Sequence, residues 1–330
     1  MPDTWYVWLI LLLATDLVWY WYHRLGHEVN VLWGAHVVHH QSEDFNYTVS
    51  ARITTVQAVV RNLFWCVLPL IGFKPEMVTV ILIVHGTYSF FTHTQMVNKL
   101  GWLEYVLITP SHHRVHHASN EKYLNKNYGD LFVFWDKMFG TFQREDEEPR
   151  YGLTHPLTSF SFVWQHVHYY AELLYAVRAA QRYREGLKLL FGSPELMDQR
   201  IRPMLERRLV PPHEASPLPW RVARYVNIQL LLTVIGLFFF TLFFSFVPTI
   251  DRTIIAFIIL ATLVNCGALL QQRRWIYYIE FSRLILVLGA LSSFTGSISL
   301  QASIIMFVAV SAEAFEWKKQ YFQLLYEQAD

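Results

Sequence analysis

Cysteine is scarce in this chain of 330 residues: only Cys66 and Cys266 occur, each inside an apolar run. Two isolated thiols give neither a disulfide framework nor a cysteine-based metal site. Net charge is equally slight, at +1, so no long-range field draws a polyanion and nucleic acid is not an expected partner. No Gly-x-Gly-x-x-Gly fingerprint, Cys-x-x-Cys-His haem attachment or ferredoxin-type cysteine spacing occurs. Electrons for any redox step therefore come from a bound reductant or a separate protein. Internal repeats and low-complexity tracts are missing too, which excludes a solenoid or a disordered linker.

What is abundant is apolar and aromatic surface, 53% and 16% of residues, too much for an ordinary soluble domain. Runs such as Tyr225 to Val247 and Thr253 to Leu270 approach the roughly 20 apolar residues that a helix needs to cross a bilayer. Trp5 to Tyr22 reads as a first, retained span, because no basic leader and no small-residue cleavage site accompany it. From His23 to about Arg52 the spacing predicts helix continuing out of the membrane. Val56 to Gly72 and Met77 to Phe91 read as a hairpin broken at Gly72-Phe73-Lys74-Pro75, short enough to dip or tilt. Thr92 to about Pro219 is polar and mixed, with loops at Thr109-Pro110 and Asn125 to Gly129 and an aromatic stretch, Leu131 to Phe142, suited to the interface plane. A last apolar run, Arg283 to Val310, is expected to break near Ser292 to Ser299.

Three histidine blocks punctuate this pattern: His23-Arg-Leu-Gly-His27, His36-Val-Val-His39-His40 and His112-His113-Arg-Val-His116-His117. Residues three and four apart share a helix face, so each block aims two or three imidazoles at one point. A lone histidine at a membrane boundary is ordinarily an interfacial polar group. His23, His27, His36, His39, His40, His113, His116 and His117 together are different, because so many rings in one region are costly without a shared partner. Neutral imidazole suits Fe, Zn, Cu or Ni, and that many nitrogens exceed the need of one tetrahedral zinc, so a dinuclear centre is the economical reading. A transporter would instead place its ligands at mid-membrane on broken helices, and a bis-histidine haem carrier leaves the paired histidines unexplained.

These blocks resemble the signature of the membrane fatty acid hydroxylase and sterol desaturase superfamily. The words around them are Trp21-Tyr-His-Arg-Leu-Gly-His-Glu-Val-Asn30, Thr109-Pro-Ser-His-His-Arg-Val-His-His117, Asn125-Lys-Asn-Tyr128 and Trp135-Asp-Lys-Met-Phe-Gly-Thr-Phe142. They resemble its branch that oxidises alkylglycerols, strongly over residues 15–165 and weakly beyond. The resemblance implies a non-haem centre of two iron ions that uses O₂ to hydroxylate the carbon next to an ether oxygen of a lipid, giving an aldehyde and a glycerol derivative. It implies tetrahydrobiopterin as electron donor, although no pterin site is legible in the sequence. The alternative within the same superfamily is a sterol or fatty-acyl hydroxylase or desaturase with a separate electron donor protein. By the same resemblance His93 joins the ligand set, and Glu28, Asn127 and Tyr128 stand near the reaction centre. Members usually carry further membrane helices before the first block, so this chain is expected to be a short member or a shortened one.

Among the other polar residues, Asp16 lies two helical turns before His23 and is expected to support that ring. His112 is expected to be structural and His85 to be buried and bonded to a neighbouring helix. His155 falls in a loop near the site, while His166, His168 and His213 read as interfacial. The fold expected is all-α: a polytopic membrane helix bundle with a cytosolic-side helical cap carrying the di-metal site. Residues 1–220 form the catalytic part and 221–330 the C-terminal transmembrane helices. Arg24, Arg114, Lys122, Lys126, the basic cluster at 178–208, Arg221, Arg224, Arg273, Arg274, Lys318 and Lys319 all fall on one side, read as cytoplasmic. Pro248 to Arg252 then lies outside. The host is a bacterial inner membrane or the endoplasmic reticulum, with the bilayer and a lipid substrate as partners.

Overall fold

A computed structural model describes residues 1–210, 218–273, 275–293 and 297–326; His213 and Arg274 lie outside these. The described residues form helices and turns and no β-strand, as the sequence pattern requires. They divide into two compact units, Met1–Thr158 with His166–Leu209, and Ser159–Gln165 with Val210–Asp330.

In the first unit, α1 (Trp5–Glu28) runs unbroken through both histidines of the first block, four residues beyond the polar boundary at Arg24. A short α2 (Asn30–His36) follows after a kink at Val29 and passes directly into a 3₁₀ turn, Val37–His40. Beyond α3 (Tyr47–Ser50), the apolar hairpin consists of α4 (Thr55–Trp65) with α5 (Val67–Leu70), then α6 (Pro75–Thr92). Its turn is where proline and glycine put it. Gly72 has φ +103°, a left-handed conformation that glycine adopts at little cost, and Pro75 starts α6 with no N–H to leave unpaired. Val7 and Leu11 of α1, Trp65, Leu68, Phe73, Met77, Val78 and Ile81 close a common apolar core, which fixes the hairpin against the first span.

The polar segment folds over the end of this trio. It carries α7 (Pro110–His117), α8 (Phe134–Met138), α10 (Tyr183–Phe191) and α11 (Ile201–Leu209), while α9 (Phe162–Ala179) begins in the second unit's segment. The aromatic stretch 131–142 packs on α1: Phe139 meets the rings of Tyr20 and Trp21, each at 5.1 Å between centroids.

The second unit contains α12 (Trp220–Leu242), α13 (Thr249–Leu270), α14 (Ile276–Ser293), α15 (Ile298–Ala314) and α16 (Trp317–Tyr326). The expected run 283–310 falls on the two helices α14 and α15, and residues 294–296 of the predicted break lie outside the described residues. Val222, Val226, Cys266, Leu269, Ile276 and Leu325 form its core. Helices α1, α12 and α13 are each long and apolar enough to span a bilayer, and Ser299–Ala314 with Trp317–Leu325, bent by 68°, makes a fourth if counted as one span. On α12, Leu231, Val234 and Phe238 are each more than 60% exposed, which water would not tolerate and lipid would. This is a membrane protein.

Candidate metal centre

Nine buried histidines meet in the first unit, in two groups. His23 and His27, one turn apart on α1, join His36, His40 and His116. His39, His93, His113 and His117 form the other group. Within each, the candidate ligand atoms all lie within 4.8 Å of one another. The groups adjoin: the rings of His40 and His117 stack at 4.3 Å between centroids.

The second block divides between the groups by its spacing. His36 and His40, four apart, share one group although the chain tightens into a 3₁₀ turn after His36, while His39 points aside to the other. On α7 the α period does the same work: His113 and His117 share a face, while His116 points aside to the first group. Arg114 anchors that helix through a two-pronged pair with Glu145 at 2.8 and 2.7 Å and through the carbonyls of Thr94 and Val97.

The outer ring nitrogens are held by backbone. His23 Nδ1 lies 2.9 Å from Tyr128 O, His39 Nδ1 3.1 Å from Val49 O, His93 Nδ1 2.7 Å from Ser89 O and His116 Nδ1 3.0 Å from Lys126 O. A carbonyl only accepts, so each Nδ1 carries the proton and each Nε2 keeps its lone pair. These lone pairs converge. His39 Nε2 and His93 Nε2 are 3.3 Å apart, and the Nε2 atoms of His27, His116 and His117 are buried with no protein partner. Acceptors facing acceptors in a buried space is the arrangement that a cation resolves, and the donor set therefore fits metal. Burial, reinforced by neighbouring imidazoles, holds His36, His39, His40, His113, His116 and His117 well below the ordinary histidine range, in the neutral form that binds metal.

The remaining expected residues take other places. Asn127, in the left-handed region at φ 55°, donates to the carbonyls of His112 and Gln143 and accepts from Gln143 N–H. It thereby shapes the loop that presents Lys126 O and Tyr128 O. Tyr128 is fully buried, with its ring 5.3 Å from that of His27 and its hydroxyl without a protein partner. Burial pushes that phenol's pKa up. Glu28 pairs with Arg24 at 2.9 Å rather than with a ring.

Two expectations change. Asp16 does not support His23; its carboxylate accepts from Leu131 N–H, Phe132 N–H and Trp135 Nε1–H at 3.0, 3.1 and 3.0 Å, and so pins the aromatic loop. A carboxylate inside an apolar helix needs several donors, and the nearest were on a loop 115 residues away. His85 is buried as expected; it bonds Asp130 of the loop at 2.6 Å and lies 3.7 Å from Asp16 Oδ1 on the neighbouring helix α1. His168 is fully buried, not interfacial. His112 is structural as expected, accepting from Thr109 N–H at 3.3 Å to cap α7, and His155 lines a cavity beside the centre. Sequence reasoning missed Gln57, whose side-chain amide meets His36 Nδ1 at 2.8 Å, because a single amide on an apolar helix gives no signal.

Two cavities open on the centre. One, about 270 Å³, lies toward the apolar hairpin and is lined by His23, His36, His39, His93, Gln57 and Arg61 among others. The other, about 370 Å³, lies toward the polar segment, with His27, His40, His116, Trp33, Tyr169 and Arg202 on its walls.

Fold and side chains together define the class: a membrane-helix protein with two adjoining buried histidine clusters able to bind metal. The fatty acid hydroxylase family model matches residues 8–141. Alkylglycerol monooxygenase of Homo sapiens is 33% identical over 323 residues, 94% of this chain and 71% of that protein. The Danio rerio alkylglycerol monooxygenase is 32% identical over 299 residues, 87% of this chain and 65% of its own length. The chain belongs to the fatty acid hydroxylase family, and with it to the oxidoreductases of monooxygenase type. Cholesterol 25-hydroxylase of Mus musculus is 30% identical over 144 residues, 40% of this chain and 45% of that protein. No solved structure matches the chain.

Proposed function

We propose that this protein is an O₂-dependent lipid monooxygenase with two iron ions, one in each histidine group, and that its substrate is an alkylglycerol-type ether lipid. The observation that carries the reading is the inward-facing pair His39 Nε2 and His93 Nε2, with the buried, unpartnered Nε2 atoms of His27 and His116 in the other group. His23, His27, His36, His40 and His116 would hold one ion and His39, His93, His113 and His117 the other. Iron bound there would supply the reduction of O₂ and the attack on an unactivated C–H bond, chemistry beyond acid–base side chains.

The residues of the chain do the rest. The carbonyls of Val49, Ser89, Lys126 and Tyr128 keep the rings in one tautomer and orientation. The hairpin-side cavity takes the substrate. Its apolar walls, Ile53 and Phe90, suit the alkyl chain, and Gln57 and Arg61 suit the glycerol oxygens; the buried Arg61 Nε has no protein partner. Burial of the whole site excludes water from the C–H attack. The second cavity, polar and aromatic, takes the reductant, for which the relatives' class suggests tetrahydrobiopterin.

The overall change is balanced: the CH₂ beside the ether oxygen and O₂ take up two electrons and two protons, giving a hydroxylated carbon and water. The product is a hemiacetal, which breaks to an aldehyde and a glycerol derivative. The histidine centre and the basic cluster at 178–208 face the cytoplasm in this reading. The test is aldehyde release from an alkylglycerol by the purified, iron-loaded protein with O₂ and the reduced pterin. Product from a sterol or a fatty acid, with none from the ether, would favour the alternative that the cholesterol 25-hydroxylase likeness supports.

A further inference from the structure

The second unit holds a cavity of its own, about 920 Å³, between α12, α13, α14 and α16. Its walls are apolar, with Leu232, Ile255, Ile259, Leu284 and Val287, and its volume lies near the top of the range of about 300–1,000 Å³ that small-molecule sites occupy. At one point it is polar. Glu280, buried among these helices, receives three donors on a single oxygen: Tyr225 O–H at 3.0 Å, Asn265 Nδ2–H at 2.9 Å and Arg283 Nη2–H at 3.2 Å. Its other oxygen, Oε2, is buried and has no partner.

A carboxylate oxygen left bare in an apolar helix bundle is costly unless a ligand donates to it. The chemistry of that ligand follows from its surroundings. Arg283 already neutralises Glu280, and its Nη1 is occupied by Gln229 Oε1 at 3.0 Å and Thr262 Oγ1 at 2.8 Å. No net charge is left to attract an ammonium, and a phosphate oxygen would meet a carboxylate. A neutral O–H donor on an apolar chain satisfies both conditions. Gly236 lines the same space, and a Cβ added there would meet nothing within 4 Å.

We propose that this cavity is a second lipid site, which binds a neutral lipid with a hydroxylated head group, its O–H donating to Glu280 Oε2 and its chain lying along α12 and α13. The site does not depend on the metal-centre reading.

The test uses the full-length protein in detergent and two photoreactive probes with the same diazirine-bearing chain, a monoacylglycerol and the corresponding methyl ester. The monoacylglycerol is an ester, so ether chemistry does not consume it. Labelled peptides are mapped by mass spectrometry. The monoacylglycerol is expected to label α12, α13 and α14, with about tenfold less labelling by the methyl ester, the ratio expected of one hydrogen bond to a charged acceptor. Gly236→Phe and, from the opposite helix, Ile259→Trp should each remove the labelling while the protein still elutes at the wild-type volume. Equal labelling by both probes would overturn the proposal even if neither variant folds, and so would wild-type labelling in either folded variant.

Discussion

His39 and His93 point two nitrogen lone pairs at each other across 3.3 Å, because each keeps its proton on Nδ1 and donates it in a hydrogen bond to a backbone carbonyl, Val49 O and Ser89 O. Both carbonyls belong to segments outside the histidine blocks. The tautomers are therefore set by the fold, and the binding groups are prepared before any metal arrives.

His93→Ala removes one nitrogen from the four-histidine group and leaves the five-histidine group whole. Bound metal is expected to fall from about two ions per chain to about one, and turnover to vanish, as the loss of a ligand to a tight site requires. His36→Ala should do the same from the other side. Elemental analysis of the purified variants reads both.

Gln57 donates its Nε2–H to His36 Nδ1 and lines the hairpin-side cavity, so Gln57→Leu should leave the fold intact and weaken metal retention or turnover by about 10–100-fold. Gln57→Glu replaces that N–H donor by a carboxylate, which only accepts and so places the His36 proton on Nδ1 and the Nε2 lone pair toward the metal; it should hold metal more tightly than Gln57→Leu. A chelator competition assay separates the two variants.

How much of this was legible beforehand follows from the range of the signals. Eight of the nine histidines, the break at Gly72 to Pro75 and the all-helical fold lie in local spacing, where period and helix breakers carry the information, while His93 entered through the family resemblance. Which blocks meet does not lie there: His116 of α7 joins the histidines of α1 and α2, and His39 joins His93, pairings across the chain that no spacing announces. Asp16 shows the same limit. Its cost inside an apolar helix was readable, but its donors come from Leu131, Phe132 and Trp135, and long-range pairing cannot be inferred from helical neighbours.

Asp16→Ala leaves those three donors without an acceptor, two of them backbone N–H groups. Each buried unsatisfied group costs about 1–3 kcal/mol, so the variant should unfold several degrees below wild type and lose its aromatic loop to proteolysis first. Thermal unfolding in detergent, followed by limited proteolysis, checks this.

His112 caps α7 as a neutral acceptor, and burial holds it down to about 4, below the ordinary 6.5. A depressed histidine favours the neutral form in the fold, so the unfolded chain binds the extra proton first. The stability it contributes is complete above about pH 6.5 and is lost as pH falls toward 4. The ligand histidine His93, which burial also holds down to about 4, shifts the same way, so acid should release metal and lower the unfolding midpoint together over that window. Metal release with no change in the unfolding midpoint would argue against the linkage.

The central claim is that two irons held by the two histidine groups carry out the lipid oxidation. The direct measurement is anaerobic titration of the metal-stripped protein with Fe(II), each point assayed for aldehyde release from an alkylglycerol with O₂ and reduced pterin. The account predicts activity that rises to a plateau at about two irons per chain. A plateau at one iron, or full activity in the stripped protein, would contradict it.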